Sequence, residues 1–335
     1  MDLQITLDYE IFLNDRVGTV ENSLLKPMDR ILEICRKHGI KITVFVDSSY
    51  LYRLNELSTN YPALRDDFEK VSNNIKRVVS EGHDVQLHIH PQWYYCTYDG
   101  NDWTMDWEHY KLSDTPEEQA MELFKKSKDL LDSVVGYKTT AFRAGGYSIQ
   151  QFDYARCFRE NGIKYDSSVL SDCRLLTDTH YYDYKGLPKR IYKFSKIEKE
   201  DSEGEFIEVP IATRQYNFFR YVFLKKKRQS GGLPKYGDGG DNPERLRSDR
   251  FDKIRQYLGR PMNVSATFDW YTYGFIEEVL EKYKPYGYAT IISHPKNVSP
   301  TSLEFMDSFI GRHLSAGDNF ITISQINKLV YRWEK

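Results

Sequence analysis

The chain reads as an α/β protein whose parallel strands line a barrel with helices outside. Three observations predict this. Strand-like and helix-like stretches alternate along most of its 335 residues, the order that joins parallel strands through helical crossovers. Eight polar residues, Asp8, Glu10, His88, His90, Arg143, Asp166, Asp269 and His294, fall at or just past the C-terminal end of an expected strand. In a βα-barrel those ends converge on one mouth, where catalytic groups sit. The length and the 40% hydrophobic content suffice for one large domain or two modest ones. We read residues 1–335 as one barrel domain with an insertion at about 171–260.

The first strand is Leu3-Gln4-Ile5-Thr6-Leu7-Asp8-Tyr9-Glu10, apolar at alternate positions and ending on two carboxylates. Leu24, Leu25, Met28, Ile31, Leu32 and Cys35 then recur at helical spacing. A strand is expected at 42–46 and a polar helix at roughly 63–80. The next strand is Asp84-Val85-Gln86-Leu87-His88-Ile89-His90-Pro91. Its period of two places His88 and His90 on one face, a ready pair of metal ligands. Thr115-Pro116-Glu117-Glu118 has the form of a capping box with proline at the first helical position, and starts a helix that ends near Gly136. A short strand at 140–142 leads into Arg143-Ala144-Gly145-Gly146-Tyr147. A helix is expected at about 150–161 and a strand at 163–169. Farther on come strands at 262–268, 288–293 and 320–323, with helices at 275–283 and 303–313.

From about 171 to 260 the rhythm breaks. This stretch holds a strand at 206–211, the basic run Lys225-Lys226-Lys227-Arg228, and a glycine-rich loop from Gly231 to Gly240. No lysine–serine or lysine–threonine follows the glycines, so they form a loop and not a phosphate cradle. The basic run reads as a solvated segment, with a lid over an anionic substrate as the alternative. Residues 230–242 are expected to be poorly fixed without substrate, because few large apolar side chains offset an ordering cost of about 1–2 kcal/mol per residue.

The 47 basic and 49 acidic residues nearly balance. Nothing in that balance asks for nucleic acid or an anionic membrane as partner. No apolar run approaches the roughly 18 residues of a membrane span. Met1-Asp2 leads straight into the first strand, so a cytoplasmic protein is expected. Cys35, Cys96, Cys157 and Cys173 show no C-x-x-C spacing and read as unpaired thiols in a reducing compartment.

Four motifs in order resemble those of the polysaccharide deacetylase family, the NodB-homology carbohydrate esterases. Asp8-Tyr9-Glu10 stands where that family has its opening aspartate motif. Gly82-His83-Asp84-Val85-Gln86-Leu87-His88 resembles its lead into the metal histidine. Arg143-Ala144-Gly145-Gly146-Tyr147 resembles its arginine motif, and Ile292-Ser293-His294 its final histidine motif. The resemblance implies a distorted (β/α)7 barrel and metal-dependent removal of acetyl groups from sugars. The sequence departs from the pattern twice. Tyr9 interrupts the usual aspartate pair, and Gln92 stands where a second metal histidine is usual. An amide oxygen is a poor zinc ligand, so Glu10, His88 and His90 are the expected ligands of a divalent metal, zinc by preference.

The resemblance also implies roles. Asp8 is the base, held by a two-pronged contact from Arg143. A backbone amide near Tyr147, reached through Gly145 and Gly146, stabilises the oxyanion. His294 protonates the leaving amine, oriented by Asp269 or Asp166, between which the sequence does not choose. Trp93 and Trp270 offer aromatic faces to a sugar ring and are counted, with Gly145, Gly146 and Asp166, on the substrate side. The implied function is deacetylation of an N-acetylated amino sugar or its conjugate in surface-polysaccharide synthesis. The alternatives are a catalytically impaired carbohydrate-binding relative and another H-x-H barrel amidohydrolase.

Overall fold

The computed structural model describes residues 1–229, 234–240 and 262–326. Among them, seven parallel strands build the barrel wall: β1 (Asp2–Tyr9), β2 (Thr43–Asp47), β3 (Asp84–Ile89), β4 (Ala141–Ala144), β5 (Tyr165–Asp166), β6 (Phe206–Glu208) and β7 (Tyr288–Ser293). They pair in the spatial order β6-β5-β4-β3-β2-β1-β7, each neighbour parallel to the next. Between β6 and β7 the sheet narrows to single backbone pairings. Ile211 bridges both Leu170 and Thr290, and the Ala212 N–H donates to the Thr290 carbonyl at 3.0 Å. The sheet is therefore curled round on itself, the distorted barrel that the sequence predicts.

Alternation along the strands sorts side chains into two layers. Leu3, Ile5, Leu7 and Tyr9 of β1, Val85, Leu87 and Ile89 of β3, and Phe142 of β4 join the large outer core with helix residues such as Met28, Val71 and Phe124. Phe45, Ala141, Tyr165, Ile207 and Tyr288 form a smaller second cluster. On the same inner face, Gln4 accepts from the Tyr288 hydroxyl and donates to Thr43 Oγ1. The inside of the barrel is thus closed by hydrogen-bonded polar groups and a few apolar side chains. Asp8, His88 and Arg143 stand above that floor.

The outer helices include α1 (Lys26–His38), α2 (Ser48–Leu57), α3 (Pro62–Ser80), α4 (Glu117–Val135), α5 (Tyr154–Asn161) and α6 (Pro300–Ser315). α1 ends on Gly39 with φ 67° after Arg36, Lys37 and His38, cations that suit a helix C-terminus. α2 was not foreseen. It starts directly at the end of β2, where the Asp47 carboxylate accepts from the Tyr50 N–H at 3.3 Å. The expected capping box at Thr115 does not form. Pro116 occupies the N-cap without a side-chain bond, and the Thr115 hydroxyl accepts instead from Tyr95 at 3.0 Å. α5 begins at Tyr154, not near 150, because Asp153 caps the Arg156 N–H.

The segment after residue 171 is only partly an excursion. It makes an antiparallel hairpin, Arg174–Leu176 with Tyr181–Asp183, then returns to supply β6 to the barrel. The strand expected at 262–268 is Met262–Ser265, and it pairs antiparallel with Thr213–Tyr216 off the barrel. Of the loop expected to be poorly fixed, residues 230–233 and 241–242 lie outside the described residues. Residues 234–240 are tied down. Tyr236 and Gly237 N–H groups donate to the Val298 and Lys296 carbonyls, and Gly240 to Arg16. The glycines allow this close approach: a Cβ on Gly237 or Gly239 would lie 2.5 Å or less from the Phe12 ring.

Candidate active site

Register on the inner face builds the site. β2 pairs with β3 so that Asp47 lies beside His88, and β3 with β4 so that His88 lies beside Arg143. β1 brings Asp8 to the same level, and the chain just past it brings Glu10. Glu10 Oε2 lies 3.1 Å from His88 Nε2 and 2.6 Å from His90 Nε2. One donor atom from each of these three residues falls within 4.8 Å of the others, the spacing of a metal-binding group. His88 Nδ1 donates to the Arg143 carbonyl at 2.8 Å, which leaves Nε2 free for a ligand. His90 is held through its backbone: its N–H donates to Ser49 Oγ and its carbonyl accepts from the same hydroxyl, both at 2.9 Å. Gly145 is required beside it, since a Cβ there would sit 2.7 Å from His90 Nδ1.

These donors suit a divalent cation: two imidazoles and a carboxylate are ordinary zinc chemistry. Burial would raise the Glu10 carboxyl, but Lys296, His90 and His88 together hold it well below the usual range. Lys296 was not foreseen. Its ammonium lies 2.8 Å from Glu10 Oε1 and 2.9 Å from the Ile11 carbonyl, so it claims the oxygen that the histidines do not. Asp47 was also missed. Its Oδ2 is buried without a partner, and burial pushes its carboxyl up against the pull of His90 and His88. The signal was available: Val44-Phe45-Val46-Asp47 is another apolar strand ending on a carboxylate.

Arg143 is fully buried. Its Nη1 donates to Asp8 Oδ1 at 2.5 Å, while Nε and Nη2 hold the Ser167 carbonyl and hydroxyl at 3.0 and 2.9 Å. The expected two-pronged grip on Asp8 is therefore one prong, because the rest of the fork is used by β5's extension. The guanidinium also stacks 4.2 Å over the Phe45 ring, which fixes its plane.

His294 Nε2 lies 3.8 Å from both Asp8 Oδ2 and Glu10 Oε1. Its Nδ1 lies 2.7 Å from Asp269 Oδ2. Asp269 Oδ1 accepts from the Ser293 hydroxyl and the His294 N–H. Burial would lower His294, yet Asp269, Asp8 and Glu10 raise it to about 9, so it is an imidazolium at neutral pH. Asp269, not Asp166, is the orienting carboxylate.

Asp166 belongs elsewhere. Tyr165 and Ile207 face the inner cluster, so their neighbours Asp166 and Glu208, paired in register, leave the sheet on the opposite face. There the two carboxyls hydrogen-bond one another, away from Asp8, Glu10 and the histidines. Trp93 is likewise no substrate platform. It is 0% exposed, packed between Tyr50 and Trp103 at 4.7 and 5.2 Å between ring centroids. Trp270 is half-buried with φ 28°, one residue after Asp269. Tyr147 has φ 61°, and its carbonyl accepts from the Tyr184 hydroxyl at 2.6 Å, which pins the Gly145–Tyr147 turn. Tyr147, Asp269, Thr272 and His294 line a cavity of about 170 Å³.

A sequence model described as polysaccharide deacetylase matches residues 20–164. That match contains His88, His90, Arg143 and Tyr147, and leaves Asp8, Glu10, Asp269 and His294 to either side. No curated protein shows significant similarity to the chain. Solved structures share the fold. A protein from Mycobacterium smegmatis described as a polysaccharide deacetylase aligns at 15% identity and TM-score 0.55, over 99% of this chain and 91% of that one. A second, from Pseudomonas aeruginosa PAO1, aligns at 13% and 0.51 over 99% and 91%. PuuE allantoinase aligns at 12% and 0.51 over 98% and 89%. Over residues 20–164 the chain is thus similar to the polysaccharide deacetylases, and it shares its fold with solved structures described as such.

Proposed function

We propose that the protein is a metal-dependent deacetylase of an N-acetylated amino sugar or its conjugate. One observation carries this reading: the Glu10, His88 and His90 donors converge beside a buried aspartate held by arginine and an imidazolium held by aspartate. Glu10, His88 and His90 would hold a divalent cation, zinc on donor chemistry, which when bound would polarise the acetyl carbonyl and make water more acidic. Asp8, kept in place by Arg143, takes the proton from the attacking water. The water oxygen bonds to the acetyl carbon and the carbon–nitrogen bond breaks. His294, charged at neutral pH, gives the leaving amine its proton, and acetate and a free amino sugar result. Tyr147, at φ 61°, lines one cavity with His294, and its backbone N–H is the donor we assign to the acetyl oxygen as it gains charge.

We infer further that a nucleotide-linked or lipid-linked sugar of surface-polysaccharide synthesis is the substrate, in the cytoplasm. The four cysteines, all buried and unpaired, support a reducing compartment. A competing reading, a sugar-binding relative without turnover, rests on Lys296, whose ammonium neutralises Glu10 and opposes a cation there. Metal analysis of protein purified without chelators, with acetate release from acetylated sugars, tests both. Stoichiometric metal with release supports the deacetylase, and metal-free protein that binds sugar without release refutes it.

A further inference from the structure

The helix Phe218–Gln229 stands at the cavity's edge. Its Tyr221 lines the cavity with Tyr147 and His294 and stacks on Phe275, ring centroids 6.0 Å apart and planes 20° off parallel. Arg220 ties the helix to Glu278 at 2.9 Å. On the other face Phe219 is 74% exposed and Phe223 67%. Four residues apart, they share one face, and the sequence continues with the basic run Lys225-Lys226-Lys227-Arg228. Between Glu208 and Asp238 the sequence contains no acidic residue but carries Arg214, Arg220, Lys225, Lys226, Lys227, Arg228 and Lys235.

We propose that this helix docks the protein on an anionic membrane surface. Phe219 and Phe223 enter the boundary between headgroups and acyl chains, and the 225–228 basic run lies among anionic headgroups. Exposed phenylalanines on a helix that ends in lysines are the composition of an interfacial helix. A protein groove would accommodate the phenylalanines as well, but it would not call for four consecutive cations beside them. None of the helices among the described residues is long and apolar enough to cross a membrane, so the contact is peripheral. It puts the cavity edge at Tyr221 next to the bilayer, where a sugar carried on a lipid phosphate would be presented.

The test is sedimentation of the full chain with phosphatidylcholine vesicles, with and without phosphatidylglycerol, read without any turnover. The parent should pellet with the anionic vesicles only, and high salt should release it. Phe219→Ser with Phe223→Ser should lower partitioning by about tenfold or more. Replacing Lys225, Lys226 and Lys227 by serine should abolish the preference for phosphatidylglycerol. An unchanged thermal melt shows that each variant is folded. Parent protein that stays in the supernatant with anionic vesicles overturns the proposal, as does a phenylalanine variant that pellets like the parent. A dimer that the phenylalanine variant turns into monomer, with neither form sedimenting, overturns it in favour of a contact between copies.

Discussion

Asp8 and Glu10 on one wall of the barrel, and Asp166 and Glu208 on another, are buried carboxylates at strand ends. Their surroundings differ in one respect. Glu10 has Lys296 and two imidazoles within 3.1 Å and is held well below the usual range despite burial. Glu208 has burial and Asp166 against it and is pushed well above that range, with one oxygen left without a partner. Burial alone neutralises a carboxyl, and only cations brought in from neighbouring strands keep one charged. The inner face of β1, β3 and β4 therefore offers charged groups to a cation, while on the outer face of β5 and β6 burial and mutual repulsion push both carboxyls of the pair up.

The most damaging test of this contrast is His88→Ala. With only two of three donors left, metal content measured after purification should fall close to zero, and acetate release with it. Retained metal would show that the triad is not the cation site. Next in size is Asp8→Asn, which should keep the metal while turnover falls by roughly 10²–10⁴-fold. A variant that deacetylates at the parental rate would remove Asp8 from the chemistry.

Asp269→Asn probes His294 without touching the triad. The carboxylate chiefly responsible for raising His294 to about 9 would be gone. The alkaline limb of the rate–pH profile should then move down towards the ordinary histidine range near 6.5. An unmoved limb would assign that titration to another group.

The outer pair should respond in the opposite sense to the site. Glu208, raised well above the usual carboxylate range, keeps its proton in the fold to a pH at which the unfolded chain has already released it. The parent therefore loses stability as pH rises from the usual carboxylate range, and Glu208→Gln should flatten that slope in denaturant titrations. Glu10→Gln, which removes a charge that the fold has neutralised, should not. The smallest effect concerns His83, whose buried ring is lowered to about 4. Its unfolded form takes up a proton first, so stability should fall between about pH 6.5 and 4, by at most about 3 kcal/mol. His83→Gln should reduce the fall. An identical acid profile would clear His83 of any part in it.

The whole-chain charge balance teaches the same lesson in another place. With 47 basic and 49 acidic residues, composition gave no reason to expect an anionic surface as partner. Only the helix Phe218–Gln229 showed that Phe219 and Phe223 are exposed, on the element whose sequence runs on into Lys225-Lys226-Lys227-Arg228.

Much of the site was legible because period-two alternation and strand-end position are local properties. Leu87-His88-Ile89-His90 states by itself that two imidazoles share a face, and Arg143 followed by glycines states that a strand ends in a tight turn. The same alternation, applied to Tyr165-Asp166, would have turned Asp166 outward had the inner face of β5 been known. That knowledge comes from Ile207 and Ala141, on other strands. Trp93 failed for a related reason: an aromatic after that strand meets substrate or core according to what packs on it, here Tyr50 of α2 and Trp103. Lys296 and Asp47 gave weak signals, since a lysine after His-Pro and an aspartate before Ser-Ser are ordinary surface residues until register brings them beside Glu10 and His88. The sequence by itself determined the order of strands and helices, the alternation of β1 and β3, and the residues able to ligate a cation. The tertiary structure decided which carboxylates are charged, because charge state depends on what neighbouring strands bring within a few ångströms, and chain order does not encode that.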